Sequence, residues 1–538
     1  MKSKKKEKKN NKLYPSHPPL EFLETSIMSS STSSTWIQLA AGTAASACAA
    51  YYFWQRQQNS TKNQQDALPT LSVDEKMKLL GYAPFEALRQ CQTVYHGAIV
   101  HSVTFDTLEA IQNGLIGVDA AGKICFVIDL DHTPYNPTSV SEQVATAVRV
   151  VNLDGRLLCP GFVDAHAHAP QHAFTGTGMD LPLLEWLQQY TFPHESKFSN
   201  LQHASMIYER AVTNHLRNGS TTVSYFATIH LESCKLLVDI VRRRGQRALV
   251  GKVNMDRNSP DDYVETTESS LRDTRKFVDY VESLKDSTVQ AVITPRFVPT
   301  CTPELMRGLG SIAAEHKLPI QSHMGETVEE YAWVRALHPE STTYADVYVQ
   351  HGLMPMETPV YMAHCIHCGS GERSILKERG CGVIHCPNSN FTLGSGICNV
   401  RQWMDEGHVV GLGTDVAGGY SPSMLDAIRN ARVASVAVSQ VSGRQNSKVV
   451  QDLRLTYSQL FYLATLGGAR AVGLGEKVGN FEVGKDFDAL VINTCAKGSP
   501  TTVYAHDDLL DQFQKFLFLG DDRNIEQVLV QGRRCCVD

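Results

Sequence analysis

The chain has 538 residues, 42% of them hydrophobic, with a formal net charge of −6. That length and composition supply a sizeable core in one large domain plus extras, or in a few domains, and the acidic balance excludes a global basic signature for nucleic acid. The fourteen cysteines follow no framework spacing, which excludes a secreted disulfide scaffold and suits a reducing, cytoplasmic setting.

Residues 1–75 differ from everything after them. Lys2, Lys4, Lys5, Lys6, Lys8, Lys9 and Lys12 form a basic run expected to be solvated and disordered. A Ser/Thr-rich patch follows at Ser29 to Thr35. Trp36 to Trp54 is then mostly apolar, with aromatic residues at both ends. Its aromatic ends suit a membrane anchor that would leave the rest of the chain in the cytosol. Its Ala, Ser, Gly and Thr content suits a targeting segment or a plain extension equally well. Gln55 to Pro69 reads as a polar linker.

Strand patterns begin at Thr93–Ser102 and continue at Gly122–Leu130 and Val150–Leu158. A matching block lies at the far end, in Gly479–Asn493 and Ile525–Gly532. The two flanks, residues 76–159 and 476–538, are expected to fold together into one small β-sandwich domain.

The centre, residues 160–475, opens on PGFVDAHAHAPQ, which places His166 and His168 two apart after an apolar run. Residues i and i+2 of a strand share a face, so two imidazoles converge there, and zinc accepts imidazole nitrogen readily. Alone, this H-x-H is a weak signal. Seven further strand-like runs follow: Thr221–Phe226, Ala248–Val253, Gln290–Arg296, Leu318–His323, Val360–His364, Gly382–Cys386 and Val409–Asp415. Helix-like segments such as Leu201–Arg217 and Pro303–His316 lie between them. The alternation predicts an α/β fold, a (β/α)8 TIM barrel, whose chemistry sits at the carboxyl ends of its strands. Ligand-type residues fall at those ends: His166 and His168, Arg296, His323 followed by Glu326, His364, and Asp415. Cys365 and Cys368 form a C-x-x-C without a second such pair. They are expected to pack at a strand end, with a zinc knuckle as the alternative.

The runs VDAHAH, SHMGE (Ser322–Glu326), MAHC (Met362–Cys365) and GLGTDVAGG (Gly411–Gly419) resemble the metal-site strands of the amidohydrolase superfamily. QHAFTGTGMDLPLLEWLQQYTFPHE (Gln171–Glu195), TPRFVPTC (Thr294–Cys301), HCPNSN (His385–Asn390), DVAGGYSPSMLDAIR (Asp415–Arg429) and KFLFLGDDRNIEQVLVQG (Lys515–Gly532) narrow the resemblance to its guanine-deaminating branch. The resemblance implies one zinc per chain, held by His166, His168, His323 and Asp415. It implies Glu326 as a proton shuttle, with His364 and Asp415 steadying the attacking water. It also implies guanine contacts from Gln171, Arg296 and Phe297, beside His323 and Asp415, and a homodimer. Relatives with two metals use a carboxylated lysine. Arg296 stands at the end of the fourth strand here, which favours one metal. Trp186 and Tyr190 fit either core or pocket lining. Two rival readings are another mononuclear-zinc aminohydrolase, acting on a triazine, cytosine or modified adenosine, and a catalytically inactive scaffold.

Overall fold

The structure is a computed structural model that describes residues 71–136, 140–445 and 452–537. The basic run and the apolar stretch 36–54 lie outside the described residues. Among the described residues no helix is long and apolar enough to cross a membrane.

The two flanks build a single seven-stranded sheet. Its strands are β1 (Cys91–Ser102), β2 (Leu108–Asp119), β3 (Ile124–Asp129), β4 (Arg149–Pro160), β15 (Ala489–Ile492), β16 (Ile525–Val530) and β17 (Arg533–Arg534), in the order β17-β16-β15-β4-β1-β2-β3. The expected sandwich is therefore corrected to one sheet with two packed faces. Neighbouring residues of β1 point to opposite faces, as the strand period demands. Val94 packs with Leu80, Phe126 and Ala145, two of them from the helices Val73–Leu80 and Glu142–Ala147. Tyr95 packs with Phe481 and Phe487. Those two phenylalanines come from a segment expected to be strand. Only Ala489–Ile492 of it forms a strand, with an isolated bridge from Asp486 to Lys123, because Gly479 and Gly484 turn the chain at φ +104° and +91°. Strand β2 escaped the sequence reading because Gly114 and Gly117 interrupt its pattern. A Cβ on Gly114 would lie 2.3 Å from Ile99 Cδ1, and one on Gly117 2.4 Å from Phe126 Cε1, so close strand packing requires glycine there.

The central segment alternates strand and helix. β5 (Phe162–His168), β6 (Ser220–Phe226), β7 (Arg247–Gly251) and β9 (Val289–Ala291) form one parallel sheet. β11 (Ile320–Met324), β12 (Val360–His364), β13 (Gly382–His385) and β14 (Val410–Leu412) form a second. The expected third and fourth strands are each split, continuing as the short parallel pair β8 (Val253–Asn254) and β10 (Thr294–Pro295). The sheets are not one closed ladder. They meet at an isolated Ile293–Ile320 bridge and at two bonds, Asp415 N–H to His166 O (2.9 Å) and His168 N–H to Val416 O (3.0 Å). Helices run Leu201–Arg217 and Pro303–His316, as expected. The first is capped by Asn200, and the second by Thr302 with Pro303 at its first position. Buried Arg247 on β7 pairs with Asp486 and Asp488 at 2.8 Å each, tying the centre to the flanking sheet.

Candidate active site

The carboxyl ends of the central strands bring the predicted histidines together. His166 and His168 end β5, His323 lies on β11, and Asp415 follows β14. One ligand atom from each falls within 4.8 Å of the other three. His364 ends β12 at φ +72°, and Asp415 sits at φ +48°. Non-glycine residues in this left-handed region are uncommon and concentrate at functional sites. Asp164, buried on β5, accepts from Thr414 N–H (2.9 Å) and Thr414 Oγ (2.6 Å), which locks the tips of β5 and β14 beside each other.

The donor set fits a borderline cation. His323 Nδ1 lies 2.6 Å from Arg296 O, which can only accept, so Nδ1 donates and Nε2 keeps a bare lone pair. That Nε2 lies 3.2 Å from His168 Nε2. His166 Nε2 has no hydrogen-bond partner and stands 3.1 Å from Asp415 Oδ1. Burial lowers His168 to about 4 and pushes His323 well down, which keeps both imidazoles neutral. Burial raises Asp415, but the His166 ring, then His168 and His364, outweigh it and hold the carboxyl well below its usual range. Three imidazole nitrogens and one carboxylate are the ligand set of a zinc site with an open position. A second grouping, His166, His364 and Cys386, is a poorer donor set, because burial keeps the Cys386 thiol protonated. Cys365 and Cys368 are buried free thiols, and Cys365 directly follows the end of β12.

Glu326 sits beside this cluster. Its Oε1 accepts from Ser395 Oγ (3.0 Å), and its Oε2 is 3.4 Å from His364 Nε2. Burial, with the charge of Asp415, raises Glu326 to about 8, so this carboxyl can hold or release a proton near neutral pH. Asn390 orients His364, its Oδ1 lying 3.0 Å from Nδ1. Glu330 accepts from the Glu326 backbone N–H at 2.7 Å and from Tyr344 OH at 2.7 Å, fixing the turn that carries Glu326.

The other wall of the same cavity carries Gln171, Arg296 and Phe297, with Trp186 and Leu187. Gln171 Oε1 accepts from Ala417 N–H (3.0 Å), and its Nε2 donates to Glu195 (2.9 Å). Arg296 donates to both oxygens of Glu195, at 2.7 and 3.4 Å. Arg296 is thus both an ion-pair member and a pocket residue. Tyr190 does not line the cavity; it stacks on His194.

All the predicted site residues border this one cavity except His166, which lies behind it among the metal-type ligands. Sequence reasoning missed the residues that hold them: Asp164, Glu195, Glu330, Asn390 and Ser395. Asp164, Glu195 and Asn390 stood within the motifs that carried the resemblance. Nothing in their spacing reported what they touch.

An imidazole and carboxylate cluster that could hold a metal, beside a buried glutamate, is the arrangement of a metal-assisted hydrolase. The model of the amidohydrolase family matches residues 157–535. The chain is 42% identical over 451 residues to guanine deaminase of Dictyostelium discoideum, spanning 82% of this chain and 97% of that one. It is 43% identical over 447 residues to guanine deaminase of Homo sapiens, spanning 82% and 96%. The solved structure of guanine deaminase from C. acetobutylicum with guanine bound is similar at a TM-score of 0.75 and 37% identity, covering 82% of this chain and 100% of that one. The chain belongs to the amidohydrolase family and, within it, to the guanine deaminases.

Proposed function

We propose that this chain hydrolyses guanine to xanthine and ammonia with one zinc ion, held by His166, His168, His323 and Asp415. The observation that carries the reading is that a donor set fit for zinc and an arginine–glutamine wall fit for a purine edge meet at a single cavity. The two parallel sheets are read as the halves of a (β/α)8 barrel over residues 160–475. Residues 76–159 and 476–538 are read as a separate small β-domain. The enzyme is read as a cytoplasmic homodimer, with all thirteen described cysteines free.

Zinc, when bound, would lower the pKa of a coordinated water from 15.7 to about 7. The chain's own residues do the rest. Glu326 takes a proton from the attacking water and delivers it to a ring nitrogen of guanine. The hydroxyl adds at the carbon bearing the exocyclic amine. His364 and Asp415 hold that oxygen in place and help protonate the amine as the C–N bond breaks and ammonia leaves. Arg296 offers the N–H groups not used by Glu195 to the ring carbonyl, in a fixed planar fork. Gln171 presents an amide whose orientation its two partners set. Phe297, packed on Trp333, gives the ring an apolar wall. Retention of every ligand position argues against an inactive scaffold.

The test is the conversion of guanine by purified protein of measured zinc content. Xanthine and ammonia should appear in equal amounts. Zinc-loaded, folded protein that leaves guanine unchanged would overturn the reading.

A further inference from the structure

The wall formed by Gln171 and Arg296 depends on a residue that never reaches the cavity. Glu195 is fully buried and accepts from three side chains: Arg296 through both oxygens, Gln171 Nε2 at 2.9 Å, and Tyr263 OH at 2.8 Å. An amide can present either end to a ligand, and a guanidinium on a flexible stem can swing. With Glu195 below them, neither is free. Gln171 must donate toward Glu195 and accept from Ala417, so only one N–H and one lone pair remain to face a ligand. Arg296 must turn the edge that bonds Glu195 away from the cavity, while its guanidinium carbon lies over the Phe192 ring at 5.3 Å from the centroid. Burial raises the Glu195 carboxyl, but the Arg296 charge and hydrogen bond outweigh it and hold it ionised.

The chain reaches this point through an irregular helix. Leu183–Trp186 is α, Leu187–Thr191 is a π turn, and Phe192–Glu195 is α again. A π turn inserts one residue into the helical repeat and is enriched at functional sites. Here Trp186 and Leu187 line the cavity where the shift begins, and Glu195 arrives beneath Arg296 after it.

We infer that Glu195 is the positioning residue for purine selection: it fixes which donors and acceptors Gln171 and Arg296 show, and so selects a purine with a carbonyl on that edge. The inference rests on the guanine reading above and deepens it.

The experiment compares parent, Glu195→Gln and Glu195→Asp proteins, each with zinc content and thermal melting recorded. Steady-state guanine kinetics are measured together with inhibition by 2-aminopurine, which keeps the ring and the amine but lacks the carbonyl. Glu195→Gln should keep zinc and raise KM for guanine on the order of 10–100-fold, with kcat falling less. Affinity for 2-aminopurine should change little, so the preference for guanine shrinks. Glu195→Asp keeps the charge but cannot span Arg296 and Gln171 together. It should move the same way to a smaller extent, and it carries the test if the first variant does not fold. Guanine KM unchanged in the folded variant, or guanine and 2-aminopurine weakened equally, would overturn the inference while the guanine reading stands. A zinc-loaded parent with no guanine turnover would overturn both.

Discussion

Glu195 and Glu326 are both glutamates buried beside the same cavity, and their partners set them apart. Glu195 accepts from an arginine, a glutamine and a tyrosine, and is held ionised. Glu326 has one hydroxyl donor, Ser395, faces the charge of Asp415, and is raised to about 8. Burial alone disfavours charge in both, and the neighbouring charges and donors decide which carboxyl can carry a proton. One glutamate is suited to holding other side chains still, the other to moving a proton.

Removing the metal should hit both walls at once and have the largest effect. His323→Ala deletes one of the four proposed ligands and should cost most of the bound zinc and nearly all turnover, measured by metal analysis and guanine assay. Full zinc retention would take His323 out of the ligand set. Next comes the proton carrier. Glu326→Gln keeps size and shape but cannot accept a proton. Its kcat should fall about 10²–10⁴-fold with zinc unchanged.

The recognition wall should yield less in rate and more in affinity. Arg296→Met removes the fork and leaves Glu195 as an unpaired buried charge, which costs about 3–5 kcal/mol of stability. Folded protein at low temperature should keep its zinc and lose kcat/KM for guanine on the order of 10²-fold, mostly through KM. Near-normal guanine kinetics would reduce Arg296 to a structural ion pair. The smallest effect belongs to Ser395→Ala, which removes one hydroxyl from Glu326. A single net hydrogen bond is worth about 0.5–1.5 kcal/mol, so kcat should fall roughly 2–10-fold with KM steady. A loss as large as that of Glu326→Gln would show that Ser395 does more than support it.

The two walls also differ in how legible they were in the sequence. The metal wall stands on strand ends, where period and position are fixed by the backbone. His166 and His168 share a face because strands alternate, and His323, His364 and Asp415 recur at the carboxyl ends because an α/β fold puts its chemistry there. Arg296 was found at a strand end like the histidines, but its part in recognition, and Gln171 altogether, came only through resemblance. The hub behind them was not reached, because Glu195 meets Arg296 from 101 residues away in sequence, through a helix whose register shifts at a π turn. Sequence periodicity assumes a regular helix, and a π turn breaks that assumption. The flanking sheet was misjudged for a related reason. Gly114 and Gly117 hide β2 from any hydrophobic pattern, although tight packing on Ile99 and Phe126 is what requires them.

If one wall does the chemistry and the other selects the substrate, the two glutamates must separate kinetically. The most direct measurement is a single-turnover experiment on zinc-loaded Glu326→Gln and Glu195→Gln proteins, run side by side across guanine concentrations. Glu326→Gln should lower the limiting rate by orders of magnitude with half-saturation nearly unchanged. Glu195→Gln should shift half-saturation upward and lower the limiting rate less. Both variants losing the same parameter to the same degree, with zinc intact in each, would contradict that separation.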